Sequence, residues 1–182
     1  MKLQNKYVFV DLDESLIHTN VYKEKATTER EIEINIGSKK HPDVYVSQLR
    51  VGAHKLLEEI RALVGSDHVF MLTTSTWDYA ARNNDMHKLG FQENQIYSRE
   101  HIRRRVAVLT MEGINEDSQS YLIDNLSMFD LGEKFELMCR GLGFRNEHLQ
   151  LFRISGYYGD TDGSHDISEK ERSEIITLIT GK

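Results

Sequence analysis

Two carboxylates at a spacing of two, Asp11 and Asp13, follow the apolar run YVFV at 7–10. A residue leaving the carboxyl end of a buried strand points into the ligand crevice of an α/β sheet. A carboxylate placed there can attack phosphorus as a nucleophile. A second acid close by can protonate the leaving oxygen and afterwards activate water. Two acids so close repel, which keeps one of them protonated near neutrality. A bare Asp-x-Asp serves equally well as a strand cap with two solvated acids, so the other strand ends decide. After HVFML at 68–72 come Thr73, Thr74 and Ser75. A hydroxyl and backbone N–H groups at that point can hold a phosphoryl oxygen, while Ser75 or Thr76 can cap the helix that follows. After SYLI at 120–123 come Asp124 and Asn125, an acid and an amide. They suit Mg²⁺, which takes few protein ligands and keeps waters, and they also suit a turn. Three such groups, each behind an apolar run, favour one shared site over three unrelated caps.

The elements that must position these groups are readable from hydropathy. The three apolar runs are the continuous stretches of buried parallel strands. Residues 52–64 put Leu56, Leu57, Ile60, Leu63 and Val64 on one helical face. Residues 77–89 form a second helix, closed by Gly90, and 128–142 a third, closed by Gly143. Ser168 with Glu171 opens a fourth over 168–179 as a capping box. Strands alternating with helices predict an α/β doubly wound parallel sheet. Residues 21–50 break the rhythm. Glu31-Ile32-Glu33-Ile34-Asn35-Ile36 alternates strictly and reads as a half-exposed strand, with Val44-Tyr45-Val46 as its partner across a turn near Gly37-Ser38. This small β insertion after the first strand is expected over the carboxyl edge of the sheet, where ligands bind.

Composition fits one domain over 1–182. The chain of 182 residues is 39% hydrophobic and 29% charged, ordinary for a globular fold with its own core. The formal net charge of -6 gives no electrostatic footprint for nucleic acid or an anionic membrane surface. Cys139 is the single cysteine, so no intrachain disulfide forms, and a reducing, cytoplasmic setting is expected. The apolar run at the N-terminus is too short for a signal-peptide core or a membrane span. The eight histidines are not spaced as a zinc site. Trp77 and Tyr79 are read as packing against the insertion, near the mouth of the site.

Four segments together carry a resemblance: DLDESLIHT at 11–19, YVSQLRVGAHKLLEEI at 45–60, FMLTTSTWDYA at 70–80 and YLIDNLS at 121–127. They resemble the haloacid dehalogenase (HAD) superfamily, and within it the FCP/SCP-type small CTD phosphatases, also called NLI-interacting-factor-like. That family shows DLDETL-, LRPG-, FTAS- and LDNS-type motifs in this order. The resemblance implies a HAD-like, Rossmannoid phosphatase, with Asp11 as nucleophile, Asp13 as acid and base, and Thr73 as phosphate binder beside Thr74. It implies Mg²⁺ held by Asp11, the Asp13 carbonyl, Asp124 and Asn125. The implied reaction passes through an aspartyl-phosphate, and substrates of this family type are often phosphoserine or phosphothreonine on flexible protein segments. A nucleotide or a nucleic-acid 3′-phosphate is the alternative substrate, and a non-catalytic switch is the alternative to an enzyme.

The chain departs from the family at three places. Ser15 stands where threonine is usual, which keeps the hydroxyl, and Val51 replaces the proline of the LRPG-type segment. The family also places a lysine between its second and last motifs to neutralise the phosphoryl group and the nucleophile. No lysine lies between Lys88 and Lys134 here, and the nearby cations are Arg103, Arg104 and Arg105. Arginine pairs with phosphate bidentately without being equivalent to lysine. Arg105 or Arg103 is the expected substitute, although the run serves equally well as a solvated face.

Overall fold

The computed structural model describes residues 3, 5–23, 25–36, 43–104, 114–126, 128–159 and 165–181. Its elements in chain order are β1 (Lys6–Val10), β2 (Ile17–Asn20), β3 (Glu31–Asn35), β4 (Val44–Leu49), α1 (Ala53–Val64), β5 (Val69–Leu72), α2 (Trp77–His87), β6 (Ile96–Tyr97), α3 (Arg99–Arg104), β7 (Gln119–Asp124), α4 (Met128–Glu136), β8 (Leu149–Arg153) and α5 (Glu169–Thr180).

Five strands form a parallel sheet in the order β6-β5-β1-β7-β8. Val8 sits opposite Val69 on one side and Tyr121 on the other, so β1 is the centre. The strand period of two splits its side chains between two cores. Val8 and Val10 pack with Leu56, Leu57, Ile60, Ala80, Ile175 and Ile179 under α1, α2 and α5. Tyr7 and Phe9 pack with Leu131, Leu137 and Met138 on the α4 side. Burial on both faces is why these strands read as unbroken apolar runs.

The insertion is a separate antiparallel sheet in the order β2-β4-β3. The alternating segment forms β3 as expected, with Ile34 opposite Tyr45 of β4, while the turn near Gly37-Ser38 lies outside the described residues. Short, polar β2 is a third strand that the sequence did not announce, pairing Ile17 with Leu49. This sheet docks on α2. The Ser47 hydroxyl lies 2.8 Å from Asn83 Oδ1 and 2.8 Å from His87 Nε2.

Two helix ends differ from expectation. Helix α2 stops at His87, and Lys88 rather than Gly90 takes the left-handed cap at φ 54°. The Asn84 side chain replaces the glycine cap by gripping Phe91, accepting its N–H at 2.9 Å and donating to its carbonyl at 3.0 Å. Helix α4 is regular only to Glu136 and then widens into a π turn over Leu137–Gly141. The predicted capping box of α5 is present, with the Glu171 N–H donating to Ser168 Oγ at 3.1 Å. Among the described residues, no helix is long and apolar enough to cross a membrane.

Candidate active site

The loop after β1 is built to hold two carboxylates in place. The Asp11 N–H continues the ladder to Ile123 O at 2.9 Å, which fixes its Cα between β1 and β7. The loop then closes on itself, with Leu16 N–H and Ile17 N–H both donating to Leu12 O. Glu14 sits at φ 60°, a left-handed conformation that costs about 1 kcal/mol or more for a non-glycine residue. Three contacts hold it there. Its N–H donates to Ile17 O, its carbonyl accepts from Tyr157 N–H at 2.7 Å, and its carboxylate pairs with His18 Nδ1 at 3.0 Å.

Asp11 is 3% exposed, and both its carboxylate oxygens are engaged. Lys134 Nζ donates to Oδ1 at 2.7 Å, and Ser15 Oγ donates to Oδ2 at 3.0 Å. Lys134 also donates to Asp124 Oδ2. The lysine and Asp124 are fully buried. Ser15 reaches further, lying 3.3 Å from Asn125 Oδ1 and accepting the Asn125 N–H at 3.2 Å. Asp124 Oδ1 is held by Leu126 N–H at 2.8 Å. The first carboxylate and the Asp124-Asn125 pair therefore share one ammonium and one hydroxyl.

Asp13 faces the β5 side. Its Oδ2 accepts from Thr73 Oγ1 at 3.2 Å and from Ser75 Oγ at 2.7 Å, and its Oδ1 accepts from Tyr79 OH at 2.6 Å. Thr73 is buried, and its N–H is bound to Tyr97 O. Thr74 is exposed, and its carbonyl accepts from Arg99 Nε at 2.7 Å. Thr76 rather than Ser75 occupies the N-cap position of α2.

Electrostatics follow from burial and from two carboxylates, Asp11 and Asp124, facing one ammonium. Burial pushes the Asp11 carboxyl up to about 7 against the pull of Lys134, with Asp124 and Asp13 adding to the rise. Burial works against the Lys134 charge, yet Asp11 and Asp124 outweigh it and hold the ammonium above its ordinary pKa. Burial and the nearby Asp13 charge raise the Tyr79 phenol well above its usual range.

The sequence reading missed Lys134. Arg103 is exposed on α3, Arg105 lies outside the described residues, and the buried cation on Asp11 is Lys134, downstream of Asp124. A signal was present in the sequence. Leu131, Lys134, Leu137 and Met138 fall at helical spacing on one apolar face, and a lysine in such a stripe is kept only where it is paired.

Among the described residues, no three histidine, cysteine or carboxylate groups form a ready metal cage. Mg²⁺ asks for less, binding through one or two carboxylates with waters completing an octahedron. Asp11 and Asp124 supply two hard oxygen donors on neighbouring strands, with more negative charge than Lys134 neutralises. The Asp13 carbonyl takes no part in the hydrogen bonds that close its loop. The residues present fit the ion.

No family model and no curated protein matches the sequence. Solved structures do match. One is fission yeast RNA polymerase II CTD phosphatase Fcp1, an alanine variant bound to beryllium fluoride. It is similar over 94% of this chain and 50% of its own, with TM-score 0.53 and 15% identity. Another is Fcp1 described as an essential RNA polymerase II CTD phosphatase, similar over 96% of this chain and 48% of its own, with TM-score 0.53 and 18% identity. The chain thus shares the fold of these structures and spans about half their length.

Proposed function

We propose that this chain is a magnesium-dependent phosphomonoester phosphatase that works through an aspartyl-phosphate and acts on phosphoserine or phosphothreonine of a protein. The observation that carries this reading is Lys134 shared between Asp11 and Asp124, with Asp13 held beside them by Thr73. Asp11 attacks phosphorus, the phosphorus–oxygen bond to the alcohol breaks, and Asp13 gives its proton to the departing oxygen. Water then attacks the same phosphorus, the Asp11–phosphorus bond breaks, and Asp13 takes up the water's proton. Lys134 faces the negative charge that builds on the transferring group, and the Thr73 hydroxyl, which holds Asp13, is read as a phosphate binder. Mg²⁺ held by Asp11, Asp124, Asn125 and the Asp13 carbonyl would supply Lewis-acid stabilisation of the phosphoryl oxygens.

Three features favour a protein substrate. The insertion is a small sheet of short strands and leaves a macromolecule room to enter. The similar structures are named as phosphatases of a protein's CTD. The formal net charge of -6 leans against nucleic acid, since phosphate-backbone contacts need basic surface. The test is hydrolysis of para-nitrophenyl phosphate with Mg²⁺ and with EDTA, by the unaltered chain and by Asp11→Asn. Chelator-sensitive turnover that vanishes in the variant is expected, and turnover that survives Asp11→Asn would sink the reading. Phosphoserine peptides compared with 3′-phosphorylated oligonucleotides then separate the two substrate classes.

A further inference from the structure

We propose that Tyr79 is the positioning residue that aims the transferable proton of Asp13 through Oδ1, an inference that rests on the phosphatase reading above. Hydrogen-bond capacity makes the case. A carboxylate oxygen has two lone pairs. Both sites on Asp13 Oδ2 are taken, by Thr73 Oγ1 at 3.2 Å and Ser75 Oγ at 2.7 Å. Among the described residues, Oδ1 accepts from Tyr79 OH alone, at 2.6 Å. A proton on Asp13 therefore has one open place, the second lone pair of Oδ1, and Tyr79 fixes the direction in which it points.

The tyrosine is itself held from the far side. Its hydroxyl lies 2.6 Å from Thr19 Oγ1 on β2. A phenol has one proton and an ionised Asp13 can only accept, so Tyr79 donates to Asp13 and Thr19 donates to Tyr79. The ring is wedged edge-on against Tyr45 of β4, at 6.3 Å between centroids. Two of the three hydroxyls on Asp13 come from the β5–α2 segment, and the third is oriented by the insertion. Buried Thr73 and half-buried Ser75 anchor the carboxyl, and Tyr79 removes its remaining angular freedom.

The experiment uses leaving-group chemistry, which a purely structural residue does not sense. Phenyl phosphate needs a proton on its departing oxygen, whereas 2,4-dinitrophenyl phosphate leaves without one. The value read is kcat/KM, because it reports only the steps up to phosphoryl transfer onto Asp11. Tyr79→Phe is expected to lower kcat/KM on phenyl phosphate about 10- to 100-fold, the size of one hydrogen bond to a charged group, and on the dinitrophenyl ester less than about threefold. Thr19→Val should show the same selectivity at smaller size, and it decides the matter if Tyr79→Phe fails to fold. Equal losses on both esters, or no loss on either, overturn the inference while leaving the phosphatase reading intact. If the unaltered chain hydrolyses neither ester, the phosphatase reading fails and this inference falls with it.

Discussion

Lys134 faces two buried carboxylates, and this explains how the cluster is tolerated inside the fold. An unpaired buried charge costs several kcal/mol, and removing one partner of a buried pair typically costs ~3–5 kcal/mol. Lys134→Ala is therefore expected to lower unfolding stability by an amount of that order in urea titration. It should also lower kcat/KM on para-nitrophenyl phosphate by ~10²–10³, the usual loss for one donor aimed at developing charge. Arg103→Ala, exposed on α3, should change neither by more than about threefold in rate. A variant at Arg103 as damaging as one at Lys134 would show that the cation has been misassigned. The carboxylates were legible in the sequence because a strand end reveals them. The lysine was not, because the motif order of the family directed attention upstream of Asp124. In this fold a side chain reaches the same point from α4, on the other side of β7. Space, not chain order, decides which cation meets Asp11. Tyr79 was read as lining the substrate mouth or, by preference, as packing, because an aromatic at helical spacing gives no sign of what its hydroxyl touches.

The elements behind the site are held by buried polar links that hydropathy does not reveal. Arg50, fully buried at the end of β4, donates to Ser15 O at 3.3 Å and to Ser155 O at 2.8 Å, and its Nε donates to His165 O at 2.6 Å. It ties the Asp11 loop to the segment after β8. Arg50→Met is expected to cost ~3–5 kcal/mol in a urea midpoint series, and Arg50→Lys should recover only part, since lysine lacks the planar fork. The insertion depends on a different link, His87 against Ser47. Burial, helped by the His54 charge, pulls His87 down to about 4 from its ordinary 6.5. Below about pH 6.5 the unfolded chain takes up a proton that the folded chain refuses until near pH 4. Stability must therefore fall across that window, by ~3 kcal/mol, and this contribution must level off below it. His87→Gln should flatten the fall relative to the unaltered chain, and identical pH profiles for the two proteins would reject the argument. The long central strands and helices were legible because they are buried on a regular period. Strands β2, β6 and β8 were not. β6 has two residues, β2 is polar after Ile17, and β8 is an edge strand with no fully buried position. Such strands form because a neighbour offers a free ladder, not because their own pattern demands it.

Across the whole molecule, the site falls where the topology changes direction. The chain runs outward from β1 to β5 and β6, then crosses back to lay β7 and β8 on the other side of β1. The crevice at such a reversal is where open α/β sheets bind ligands, and here it lies between the strands that carry Asp11 and Asp124. The fold thus brings two carboxylates together at the β1–β7 boundary, and one ammonium does not balance them. A divalent ion entering this crevice binds the folded chain alone, because the unfolded chain has no reason to hold Asp11 near Asp124. If Mg²⁺ binds there as proposed, it stabilises by mass action, about 2.7 kcal/mol at a hundredfold excess over its Kd. Urea unfolding with Mg²⁺ and with EDTA measures the gain. Asp11→Asn and Asp124→Asn are each expected to abolish most of it. Asp67→Asn, exposed in the turn before β5 at the opposite edge of the sheet, should keep it in full. If all three variants gain as much as the unaltered chain, the ion acts by general screening of an acidic protein, and the crevice is not its site.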